Sequence, residues 1–164
     1  MTVRLIFLSL LLFIAFYETK ATALKSFDRK TYYNIVKSGT LNAIDDEITV
    51  LQSSGLKDAD AFEGTLLMKK AGLVNKPKDK LDLFKKGRIK LETVIKNDST
   101  NTEYRFMRLI IQEHAPKQVK YQDQLKTDAA FIEKNFRNLS SELQDIIIDY
   151  SKQSKALKTT NLQQ

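Results

Sequence analysis

Apolar positions fall into two regimes along this chain. Near the start they form a run of 12 residues, Leu5 to Phe16. From about residue 25 onward they recur three and four apart, between charged residues, which is the period of helices that bury one face. Strand-like alternation is missing. Pro77 and Pro116 are the only prolines, and the chain has five glycines. The pattern therefore predicts an all-α protein.

Seven helices are expected. The first covers about 25–37, with Phe27, Tyr32, Ile35 and Val36 inward, and Ser38-Gly39 ends it. The second begins near Thr40 and ends by Ser54-Gly55. Leu41, Ile44, Ile48 and Leu51 form its apolar stripe, and Asp45, Asp46 and Glu47 are expected outside. The third starts at Asp58 or Asp60 and closes at Gly72. The fourth begins at Pro77, a residue suited to a first helical turn. It carries Leu81, Phe84, Leu91, Val94 and Ile95 inward, with Arg88 inside that stripe. The fifth covers about 101–113, and Pro116 marks its exit. The sixth covers about 124–137, with Leu125, Ala129, Ile132 and Phe136 inside, and the seventh starts at Ser140. Short connections favour antiparallel helical hairpins. The tail, 155–164, is polar and is expected to fray.

The first apolar run is too short to span a bilayer, which takes ~20 residues. Arg4 precedes it and Ala21-Thr22-Ala23 follows it. Together these read as a secretory signal peptide over 1–23. A single helical domain over 24–154 would remain, exported to the periplasm or secreted. The chain has no cysteine, so an exported form must be held by packing alone, and a bacterial envelope fits it best.

The net charge is +7, and 21 of the 27 cations are lysine. Lysine is a hydrated point charge, whereas arginine dominates bidentate phosphate recognition. The excess therefore reads as solvated surface, not as a nucleic-acid footprint. It is densest over 69–90, which holds nine cations and two acids, Asp79 and Asp82. Lys69, Lys70, Lys76, Lys78, Lys80, Lys85 and Lys86 are candidates for contact with an anionic lipid or polysaccharide surface. Aromatic residues interleaved for base stacking are missing from this segment.

Catalytic chemistry finds little support. His114 is the single histidine, and a zinc site built around it would need three carboxylates. A helix-end role for it is the expectation. There is no Gly-x-Ser-x-Gly, phosphate loop or dinucleotide fingerprint. No catalytic residue, metal ligand or cofactor is assigned. Arg88, Tyr104, Arg105, Arg108, Tyr121 and Asp128 form the more interesting set. An arginine in an apolar stripe needs a partner, which Asp128 or Glu92 could supply. The set either locks the fourth to sixth helices together or lines a groove for a partner's carboxylate.

Gly87, followed by Leu91 and Val94 and the turn Asn97-Asp98-Ser99, resembles the second helix of a tetratricopeptide unit in local geometry. The turn lacks the usual proline, and no second copy follows. AFEGTLLMKKAG, NKPKDKLDLFKKG and EYRFMRLIIQEHAP, with Tyr121 and Asp128 beyond them, resemble a family of uncharacterised exported proteins of Bacteroidetes-type bacteria over about 61–150. That resemblance implies an all-α, tetratricopeptide-like fold and no activity. The expected function is a non-enzymatic adaptor of the cell envelope that binds a protein or peptide. The alternative is a peripheral binder of anionic surfaces.

Overall fold

The computed structural model describes residues 26–162. The apolar run and cleavage site expected over 1–23 lie outside the described residues. Those described are all-helical, with seven α-helices of ten residues or more. They are α1 (Arg29–Ser38), α2 (Leu41–Ser53), α3 (Ala59–Ala71), α4 (Pro77–Asn97), α5 (Thr102–His114), α6 (Leu125–Asn135) and α7 (Ser141–Ser151), and a short α8 (Thr159–Leu162) follows. Two 3-10 turns, Lys117–Val119 and Phe136–Asn138, flank α6.

Local chemistry sets most of the boundaries. The side chains of Asp28, Thr40, Asn101 and Ser140 each accept a backbone N–H in the first turn of α1, α2, α5 and α7. They satisfy donors that a helix start leaves open. Pro77 opens α4, where its missing N–H costs nothing. Asp58 precedes α3 but makes no capping bond; its carboxylate instead meets the Tyr104 hydroxyl.

The helices alternate in direction. Within the α3/α4 hairpin, Gly64 lies against Gly87, and Asp60 and Glu63 reach Lys90, so the two run antiparallel. Odd-numbered helices run in parallel. Arg29 pairs with Glu142 and Lys37 with Asp149 between α1 and α7. Arg29 and Tyr33 meet Glu103 and Phe106 on α5. Tyr32 packs on Phe62, and Lys69 donates to the Lys37 carbonyl, between α1 and α3.

The core centres on α5, where Thr102, Tyr104 and every residue from Phe106 to Gln112 are buried. Glu47 departs from its expected outer position and is 1% exposed, on the buried face of α2 with Ile44 and Leu51. The tail also departs from expectation. Leu157 and Leu162 are buried in the core cluster. Glu113 holds the intervening chain, accepting from the Tyr150 hydroxyl at 2.6 Å, Ser154 Oγ at 2.8 Å, and the Lys155 and Ala156 amides at 2.8 and 2.9 Å. Two leucines spaced among lysines and threonines were too sparse to register as an apolar face.

Two predictions follow from this packing. A Cβ on Gly64 would sit 2.7 Å from the Gly87 carbonyl oxygen, and one on Gly87 would sit 2.8 Å from Met68 Cγ and 2.9 Å from Met68 N. In an unconstrained helix Ala would be favoured over Gly by about 0.5–1 kcal/mol. Here the backbone contact reverses the sign. Gly87→Ala should destabilise by about 1–3 kcal/mol in urea unfolding; an unchanged or raised midpoint would mean that α3 and α4 separate freely.

The second concerns the tail. Burial pushes the Glu113 carboxyl up, but the bonds from Tyr150, Ser154, Ala156 and Lys155 outweigh it and hold it below the usual carboxylate range. A depressed folded pKa gives stability that is present above the unfolded value of about 4.3 and lost as pH falls through the folded value. Hydrogen-exchange protection of the Lys155 and Ala156 amides should therefore persist at neutral pH and disappear in acid. Glu113→Ala should abolish it at neutral pH. Protection that survives this substitution would show that the leucines alone hold the tail.

Candidate functional site

Three places gather chemistry: a buried ion network, a groove and an apolar cleft. The network joins α4, α5 and α6. Arg108 grips Asp128 with a fork, Nε to Oδ2 at 2.7 Å and Nη2 to Oδ1 at 2.8 Å. Its Nη1 donates to Glu92 Oε2 at 2.8 Å. The Tyr121 hydroxyl donates to the other Glu92 oxygen at 2.6 Å. Arg105 donates from Nη1 to Asp128 Oδ1 at 3.0 Å, and its other nitrogens hold the Ser99 carbonyl at 2.9 and 2.7 Å. Asp128 is 0% exposed and so accepts three charge-assisted bonds, which offset its desolvation. Burial pulls the Arg108 pKa down, while Asp128 and Glu92 more than reverse this, so it remains a cation. Burial and the bond to Glu92 push the Tyr121 hydroxyl up, so it stays a neutral donor.

The expected arginine set is thus brought together only in part. Arg105, Arg108, Tyr121 and Asp128 share the network. Arg88 is exposed. It pairs with neither Asp128 nor Glu92 but lies over the Tyr121 ring at 4.8 Å. Tyr104 points elsewhere, to Asp58. None of the six lines the groove or the cleft described next. The four network residues, with Glu92, satisfy one another's polar groups.

The groove lies between α1 and α7, over α5, and has a volume of about 690 Å³. Its floor is apolar, with Tyr33, Val36, Phe106, Ile110, Ile146 and Tyr150. One rim carries Lys30, Asn34 and Lys37 from α1; the opposite rim carries Glu142, Asp145 and Asp149 from α7. Both sets repeat at three and four residues, so each lines one face of its helix. The pairs Arg29–Glu142 at 3.1 Å and Lys37–Asp149 at 2.9 Å bridge the two helices. Sequence reasoning missed this site because its parts come from helices about 110 residues apart. The repeating charges on the two helices were the available signal.

The cleft sits at the α3–α4 turn against the end of α5 and has a volume of about 540 Å³. It shares Lys69, Ile111 and His114 with the groove. The lysine candidates divide here. Lys69 donates to the Lys37 carbonyl at 3.2 Å and Lys70 pairs with Asp45. Lys76, Lys78, Lys80, Lys85 and Lys86 are exposed. His114 Nδ1 lies 2.8 Å from the Ile110 carbonyl in the last turn of its own helix.

No known protein family matches the chain, and neither a curated protein nor a solved structure matches it.

The network generates a test. Asp128→Ala leaves Arg108 buried and without its fork, which should destabilise by about 3–5 kcal/mol, while Arg88→Ala should change stability little. Urea unfolding of both variants separates the two roles; a cost below about 1 kcal/mol for Asp128→Ala would make the network incidental to the fold.

Proposed function

We propose that this chain is an exported, non-enzymatic helical adaptor of the cell envelope, with tetratricopeptide-like hairpins, that binds a peptide or protein segment. The observation that supports this reading is the groove between α1 and α7. Its apolar floor supplies affinity by excluding water. Its rims of opposite charge fix the register of a bound chain. The binding residues move accordingly from the arginine set, none of which lines the groove, to Lys30, Asn34 and Lys37 on one side and Glu142, Asp145 and Asp149 on the other.

The experiment uses protein recovered from the exported fraction, whose first residue by mass spectrometry should be Leu24. A photoreactive residue is placed at Asn34 in the groove or at Lys126 on the exposed face of α6. Irradiation in native envelope extract should attach a polypeptide at Asn34 and none at Lys126. Equal attachment at both positions, or none at either, would remove the groove as the binding site. A chain retained in the cytoplasm with its first 23 residues intact would remove export.

A second reading is favoured by the five exposed lysines of 76–86. Among the described residues none of them has a side-chain hydrogen bond or ion pair. Such a face attracts anionic headgroups, and its binding falls steeply with salt.

A further inference from the structure

We propose that the cleft at the α3–α4 turn holds the acyl chain of an anionic lipid, with the lysines at its mouth on the headgroup. The proposal rests on the lysine face as a contact for anionic surfaces and adds to it a specific apolar anchor.

The cleft falls within the ~300–1,000 Å³ range of small-molecule sites, at about 540 Å³. Met68, Leu73, Leu81, Phe84, Ile111 and Val119 supply its walls. Lys69, Lys80 and His114 are its ionisable lining residues, and no acid is among them. This separates it from the groove, where both signs are present. Lys69 is occupied by the Lys37 carbonyl. Lys80 is therefore the lining cation available to an anion, with Lys76, the N-cap of α4, one helical turn before it.

The apolar character of the cleft decides between occupants. A peptide lying there would bury backbone N–H and C=O groups against walls that offer few partners, and each group left unpaired disfavours binding. An acyl chain brings no such groups. The leucines at the mouth point the same way. Leu81, an inward residue by its helical spacing, is 49% exposed, and Leu73 is 39% exposed. Further along α4, beyond Lys85 and Lys86, Ile89 is 67% exposed. Exposed apolar residues set among lysines are the pattern of a helix that rests in a headgroup layer.

The probes are monomeric dodecyl phosphate, dodecyl phosphocholine, inorganic phosphate, and phosphatidylglycerol vesicles. Dodecyl phosphate should bind saturably and shift the methyl resonances of Leu73, Leu81 and Val119. It should bind more tightly than dodecyl phosphocholine. Leu81→Glu, at an exposed position, should weaken it about tenfold, and Lys80→Ala should weaken it while leaving the same methyls responsive. Salt-sensitive vesicle binding that Leu81→Glu does not change, with no methyl response to dodecyl phosphate, overturns the acyl site and leaves the lysine face standing. No response to vesicles, phosphate or dodecyl phosphate overturns both. A concentration-dependent dimer that Leu81→Glu dissolves, without dodecyl phosphate binding, overturns the proposal in favour of a second copy as occupant.

Discussion

Helix α5 is covered on nearly every side, yet Arg108 is buried on it. A buried guanidinium must be neutralised where it stands, because its desolvation penalty is several kcal/mol. Asp128 on α6 and Glu92 on α4 do this. The geometry of the fork then dictates where both helices lie along α5. Tyr121 donates to Glu92 and packs edge-on against Phe84 with centroids 5.6 Å apart, so the chain leaving α5 after Pro116 is fixed to α4 as well. One charge thereby orders three helices and a connection. The other end of α5 repeats the device: Glu103 takes a fork from Arg29 at 2.7 and 3.3 Å and the Tyr33 hydroxyl at 3.3 Å. Here burial, opposed by the bonds from Arg29 and Tyr33, raises the Glu103 pKa.

Apolar packing alone would leave the sliding of one helix along another loosely determined. The glycine contact removes that freedom for α3 and α4. Gly64 and Gly87 let the backbones touch, and side-chain interdigitation on both sides of the contact fixes the register. Ile89 stands between Gly87 and Lys90, both of which meet α3, so its exposure reflects the outward face of α4 and not the lack of a helix alongside.

The sequence was most legible where a single residue governs a single event. Pro77, Thr40, Asn101 and Ser140 mark helix starts through their own chemistry, and all four stand where the structure starts a helix. Gly87, matched to the second helix of a tetratricopeptide unit, is a point of close approach, and Gly64 meets it there. Asp128 and Glu92 were identifiable as partners for an arginine, because a buried cation demands one. Which arginine was not legible. Spacing placed Arg88 in an apolar stripe, but α4 turns that edge outward and Arg108 takes both carboxylates. Glu47 shows the opposite error: its acidic neighbours suggested a solvated edge, yet its position on α2 faces the core. The groove could not be read at all, since α1 and α7 become neighbours only after α5 brings them together. Leu157 and Leu162 were missed for a related reason. Two apolar residues need a receiving surface to count as core, and that surface is built by distant helices.

The two concavities share a wall at Ile111 and His114 but differ in electrostatics. Along the groove, α1 supplies cations and α7 supplies acids, so the fields of the two rims largely cancel at a distance and act only on a ligand already in place. Such a site selects register and gives little long-range steering. The cleft has cations alone, on a chain with a net charge of +7, and its field reinforces that of the whole molecule. An anion would be drawn to it before contact, and the leucines would act at short range. Within one small helical fold, charge pattern separates a groove with rims of both signs from a cleft lined by cations alone.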